Sequence, residues 1–99
     1  MPKFEEELDV ELEIQEPRMF RVLLHNDDYT SMDFVVEILT RIFHKTSEEA
    51  VQIMLQVHEK GKGVCGVYTY EIAQTKAEQV SQLAKQNEFP LLVTIEEDA

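Results

Sequence analysis

The sequence predicts an α+β fold: a small β-α-α-β-α-β domain in which a three-stranded antiparallel sheet has helices packed on one face. Three observations predict it. Short β-rich runs at residues 18–25, 64–68 and 91–95 are separated by stretches whose apolar residues recur every three or four positions. Those helical stretches fall as a pair between the first two strands and singly before the last, an order that fits a layer of helices on a sheet. With 99 residues, only three Gly and 43% hydrophobic residues, the chain has apolar material for one modest core and no length for a second domain.

Taken in order, residues 1–17 carry seven acids against the single base Lys3. Leu8, Val10, Leu12 and Ile14 alternate with those acids, which is strand periodicity. Self-repulsion and the lack of a long apolar stretch nevertheless predict a flexible acidic tail, with the folded domain spanning 18–99. The first strand places Phe20, Val22 and Leu24 on one face and Met19, Arg21 and Leu23 on the other. Thr30 reads as the N-cap of the first helix, with Asp33 completing a mimic of a capping box and a stripe of Met32, Val35, Val36, Leu39, Ile42 and Phe43 running to about 44. Thr46 and Glu49 repeat that capping pattern for a second helix, which carries Ala50, Val51, Met54, Leu55, Val57 and His58 towards a stop at Gly61. After a glycine loop at 61–63 comes the second strand, where Gly66 permits a bulge or a close backbone approach. Thr69 or Tyr70 opens the third helix, whose buried face is Ile72, Ala73, Ala77, Val80, Leu83 and Ala84, and Asn87 and Pro90 end it before the last strand at Leu91.

Composition excludes several function classes. A formal charge of -11 argues against nucleic acid, because phosphate binding needs clustered Lys and Arg. No apolar run approaches the roughly 20 residues that span a bilayer, and the acidic amino terminus lacks the features of a signal peptide, so a cytoplasmic location away from membranes is expected. Cys65 stands alone and the three histidines lack metal-ligand spacing, so no metal or other cofactor is expected.

The distinctive chemistry gathers between the first strand and the first helix, in His25-Asn26-Asp27-Asp28-Tyr29-Thr30. Asn and Asp there form turns by bonding their own backbone. Two carboxylates and an amide beside the apolar Met32 and Val35 would also make an anionic rim on a greasy wall, suited to a ligand with one cationic and one apolar end. His58 shares a helical face with Met54 and Val51, and reads either as a pocket residue or as a histidine favoured by the helix dipole. Cys65 with a histidine could imitate a thiol hydrolase, and Asp27 beside Asp28 an acid pair. Neither is accompanied by a nucleophile motif or a partner acid, so no catalytic residue is assigned.

Several motifs in register match a known family. Asn26-Asp27-Asp28-Tyr29-Thr30-Ser31-Met32, Met54-Leu55-Gln56-Val57-His58, the run from Gly61 to Thr69, Thr75-Lys76 and Pro90-Leu91-Leu92 resemble the ClpS family of protease adaptors over about residues 18–96. The resemblance implies a non-enzymatic adaptor that binds proteins beginning with Leu, Phe, Tyr or Trp and delivers them to a Clp AAA+ unfoldase. It implies that Asn26, Asp27 and His58 hold the substrate's α-amino group, with Thr30 and Asp28 supporting the adjoining backbone. Met32, Val35, Met54, Val57 and Leu91 would form the side-chain pocket, Met32 acting as the gate against β-branched residues. Glu71 and Lys76 would dock the N-terminal domain of a ClpA-like unfoldase, with the adaptor a monomer. Gln74, where family members often carry an acid, and His25, in place of a common aliphatic residue, depart from the pattern. The alternative on fold grounds is a generic interaction domain like the C-terminal domain of the ribosomal stalk protein.

Overall fold

The computed structural model describes residues 17–99. The predicted order is observed: β1 (Met19–His25), α1 (Met32–Arg41), α2 (Ser47–Lys60), β2 (Lys62–Thr69), α3 (Tyr70–Gln86) and β3 (Leu92–Glu97). All of the predicted tail except Pro17 lies outside the described residues.

β1 is the central strand of an open sheet ordered β2-β1-β3, antiparallel to both neighbours. It has the apolar alternation that such a position demands. Val22 and Leu24 face the helices and are fully buried in one cluster with Phe34, Ile38 and Leu39 of α1, Val57 of α2 and Val80 of α3. On the opposite face Arg21 sits across from Glu96 and reaches it at 3.3 Å. The His25 Nε2 there lies 2.7 Å from the Thr94 hydroxyl, a cross-strand hydrogen bond that gives the unexpected histidine a place. The register between β1 and β2 slips after Val22, which pairs with Gly66 while Leu23 pairs with Val64. Cys65 is thus the extra residue of a bulge. Gly66 also meets the second expectation, because the Tyr68 ring lies where its Cβ would be.

The helix ends follow their local chemistry, with corrections to the sequence reading. Ser31, not Thr30, caps α1, its hydroxyl accepting from the Phe34 amide at 3.1 Å. The helix stops at Arg41, short of 44, and Phe43 is buried from the turn that follows. Thr46 and Glu49 form the full capping box at the start of α2. At its other end Gly61 adopts the left-handed conformation, φ 88°, and donates to the Val57 carbonyl at 2.9 Å. Lys62 and Gly63 already belong to β2, so the expected glycine loop is a single residue.

Two apolar faces differ from expectation. In α2, Val51 and Leu55 are exposed while Ile53 packs on the core, and in α3 Ile72 is half exposed. The spacing overstates the buried face by Val51 and Leu55 in α2 and by Ile72 in α3, since full burial follows a narrow line of Ala50 and Val57, or of Ala73, Val80 and Ala84.

Lys76 ties the helical layer together. Its ammonium donates to the Ile42 carbonyl at the end of α1, 2.7 Å away, and lies over the rings of Tyr68 and Phe43 at 5.2 and 5.8 Å. A cation at a helix C-terminus and against two aromatic faces is favoured three ways. Lys76→Met, which keeps the stem and removes the charge, is expected to lower unfolding stability by about 1–3 kcal/mol. A urea titration with an unchanged midpoint would contradict that role.

Candidate functional site

The β1–α1 turn is held by Asp27. Its Oδ1 accepts from the amides of Tyr29 and Thr30 at 2.8 and 2.7 Å, and its Oδ2 accepts from the Thr30 hydroxyl at 2.7 Å. Partial burial pushes the Asp27 pKa up, but the Thr30 hydroxyl, the Thr30 amide and the Tyr29 amide outweigh it and hold the carboxyl below its usual range. A carboxylate has about four acceptor sites, so Asp27 is ionised with room at Oδ2 for one further donor. Thr30 is the orienter of Asp27, which is how the sequence-predicted pair comes together. Asp28 and Tyr29 are exposed beside them.

The turn is clasped to the end of α2. The Asn26 amide donates to the Gly61 carbonyl at 2.8 Å, directly after His25 pairs with Lys62. Because Gly61 is the C-cap of α2, this bond sets the Asn26–Asp27 corner against the last turn of the helix that carries His58. His58 is exposed there. The sequence marks Gly61 as a helix stop and the start of a glycine loop. Its carbonyl has a second function, and no side-chain pattern announces it.

The apolar residues assigned to the pocket divide by depth. Val35, Val57 and Leu91 are buried in the core cluster and Met54 packs partly against it, whereas Met32, the first residue of α1, is 45% exposed. Val35 lies on α1, Met54 and Val57 on α2, and Leu91 just before β3. Gly63 is buried against Val57, and a Cβ there would come 2.9 Å from Val57 Cγ2. Its lack of a side chain therefore sets how closely β2 approaches α2.

Other candidates separate from this corner. Cys65 is fully buried, and burial pushes its thiol up to about 12 against the opposing effects of Lys45 and the Leu24 amide, so it serves as core and not as a nucleophile. Glu71 is exposed at the start of α3 and lines a shallow groove with Ile72, Thr75, Lys76 and Gln79. The Lys76 ammonium itself is turned towards Ile42. Gln74 is exposed and faces a separate groove beside Val93. Among the described residues, no group of three or more His, Cys, Asp or Glu could hold a metal ion, and no helix is long and apolar enough to cross a membrane.

Comparison with known proteins bears on this arrangement. Residues 15–94 match the family described as ATP-dependent Clp protease adaptor protein ClpS. The chain belongs to the ClpS family. It is 59% identical over 96 residues to the ATP-dependent Clp protease adapter protein ClpS of Syntrophus aciditrophicus, covering 95% of this chain and 90% of that one. It is 58% identical over 94 residues to the Helicobacter hepaticus protein of that name, with 95% and 93% covered. The structure of Agrobacterium tumefaciens ClpS2 bound to L-phenylalaninamide superposes with a TM-score of 0.81 at 35% identity, covering 84% of this chain and all of that one. The fold of this ClpS protein is thus that of its structural relative, and its family role is that of a Clp protease adaptor.

The acid titration of the turn follows from the hydrogen bonds of Asp27. A carboxyl with a lowered folded pKa contributes stability that is complete above its unfolded value and is lost as pH falls through the folded one. The Thr30 amide resonance is expected to titrate with a midpoint below the ordinary aspartate range, and Thr30→Val to raise that midpoint. An ordinary midpoint, unmoved by the substitution, would show that the hydroxyl does not hold Asp27.

Proposed function

We propose that this protein binds substrates through a free α-amino group followed by Leu, Phe, Tyr or Trp, and delivers them to the N-terminal domain of a ClpA-like Clp AAA+ unfoldase. The observation that carries the reading is the Asn26–Gly61 hydrogen bond, which sets the Asn26–Asp27 turn against the helix end of His58, beside Met32. An α-ammonium is the cationic end that the remaining Oδ2 site of Asp27, the Asn26 amide oxygen and a neutral His58 nitrogen would accept. Each such charge-assisted hydrogen bond contributes roughly 1.5–3 kcal/mol before desolvation is subtracted. The first side chain enters against Val35, Met54, Val57 and Leu91, where burying a Leu or Phe adds about 1.5–3 kcal/mol. L-phenylalaninamide, the ligand of the structural relative, has this pairing of a free amine and an aromatic side chain.

Thr30 and Asp28 support the substrate backbone beside the corner. Met32 at the rim closes on a side chain that is unbranched at Cβ and crowds one that is branched. Glu71 and the α3 groove form the docking face, bordered by Lys76. The adaptor works in the cytoplasm as a monomer without cofactor or catalysis.

Fluorescence anisotropy with peptides beginning Phe, acetyl-Phe, Ile and Asp tests the site. Capture of the first alone is expected, because acetylation leaves buried acceptors without a donor and costs far more than a small change in an apolar side chain. Met32→Ala is expected to admit Ile as first residue. Equal binding of Phe and acetyl-Phe peptides would remove the amino group from the account, and a Met32→Ala variant that still rejects Ile would make Met32 ordinary packing.

A further inference from the structure

The outer face of the sheet, where it meets the last turn of α2, carries an unexplained feature. Leu23 points out from the core face yet is only 3% exposed, at the floor of a groove lined by Arg21, Lys60, Lys62, Val64 and Glu96. Residues 17–99 contain eight bases and thirteen acids, so this surface is acidic as a whole. Three of those eight bases line this one groove, beside the single acid Glu96. Arg21 is engaged by Glu96 and Asp98, and among the described residues Lys60 and Lys62 enter no salt bridge.

We infer that the groove docks the chain's own acidic segment, residues 5–16, along the outer face of β1. Charge complementarity is the first argument. The segment carries seven acids and no base, so the acidic remainder of the surface repels it and this groove attracts it. Pattern is the second. Leu8, Val10, Leu12 and Ile14 alternate with acids, so an extended segment presents one apolar edge to Val64 and the lysine stems while its carboxylates reach the cationic rim. Reach is the third. The segment joins the domain at Arg18, beside the Arg21 end of the groove, and seven extended residues span roughly 23 Å, about the length of β1 back to Lys62. Running back from Pro17, seven extended residues would bring Val10 beside Lys60 and Lys62. This docking goes beyond the proposed substrate site and does not rest on it.

Paramagnetic broadening in the full chain tests it. A nitroxide on Val10→Cys reports where the middle of the segment lies, since the native Cys65 is buried and shielded from the label. Broadening of the Lys62, Gly63 and Val64 amides, with Lys85 unaffected, is expected, and Lys60→Glu with Lys62→Glu or added salt should restore the signals. Signals that stay sharp, or broadening spread evenly over the surface, would overturn the proposal. So would broadening seen only when labelled protein is mixed with unlabelled isotope-enriched protein, which would place the segment on a second copy.

Discussion

One backbone hydrogen bond, from the Asn26 amide to the Gly61 carbonyl, joins the two halves of the candidate site. Each half is already formed by its own local chemistry. Asp27 ties the turn through the Tyr29 and Thr30 amides and the Thr30 hydroxyl, and Gly61 closes α2 in the left-handed conformation. Neither element by itself places the turn against the end of α2. Register does, because pairing His25 with Lys62 leaves the next amide of β1 opposite the glycine that ends α2. A slip of one residue would reverse the faces of the strand and lose both the core and the corner.

The core enforces that register. Val22 and Leu24 are wholly buried on the helical side of β1, and the bulge at Cys65 lets β2 continue on the correct face past Gly66. Gly63 then sits against Val57, so the backbone of β2 and the apolar wall of the site are set by one close approach. At the far end of α1, Lys76 satisfies the Ile42 carbonyl from beneath two aromatic rings. α1 is therefore anchored at both ends, by Ser31 near the site and by Lys76 away from it. The Lys76 ammonium is committed to the Ile42 carbonyl, whereas Glu71 at the start of α3 is exposed.

Much of this was legible in the residues. Element order, the capping box at Thr46 and Glu49, and the stop at Gly61 depend on interactions within a few positions, which a sequence displays directly. The two faces of β1 were also readable, because strand alternation is strict. Helix faces were less so. Val51, Leu55 and Ile72 satisfy a three-to-four spacing as well as their buried neighbours do, and only the angle at which each helix meets the sheet separates them. Thr30 and Ser31 are adjacent hydroxyl residues, and only the structure separates them: Ser31 accepts from the Phe34 amide, while the Thr30 hydroxyl donates to Asp27. The clasp itself was invisible, since it uses main-chain atoms of residues 35 positions apart.

Hydrogen exchange at the Asn26 amide tests that clasp and its link to binding most directly. The account predicts slower exchange at Asn26 than at the exposed Asp28 two residues on, and slower still after L-phenylalaninamide is added, because a ligand that binds only the closed corner stabilises it. Exchange at Asn26 as fast as at Asp28, and indifferent to the ligand, would contradict it.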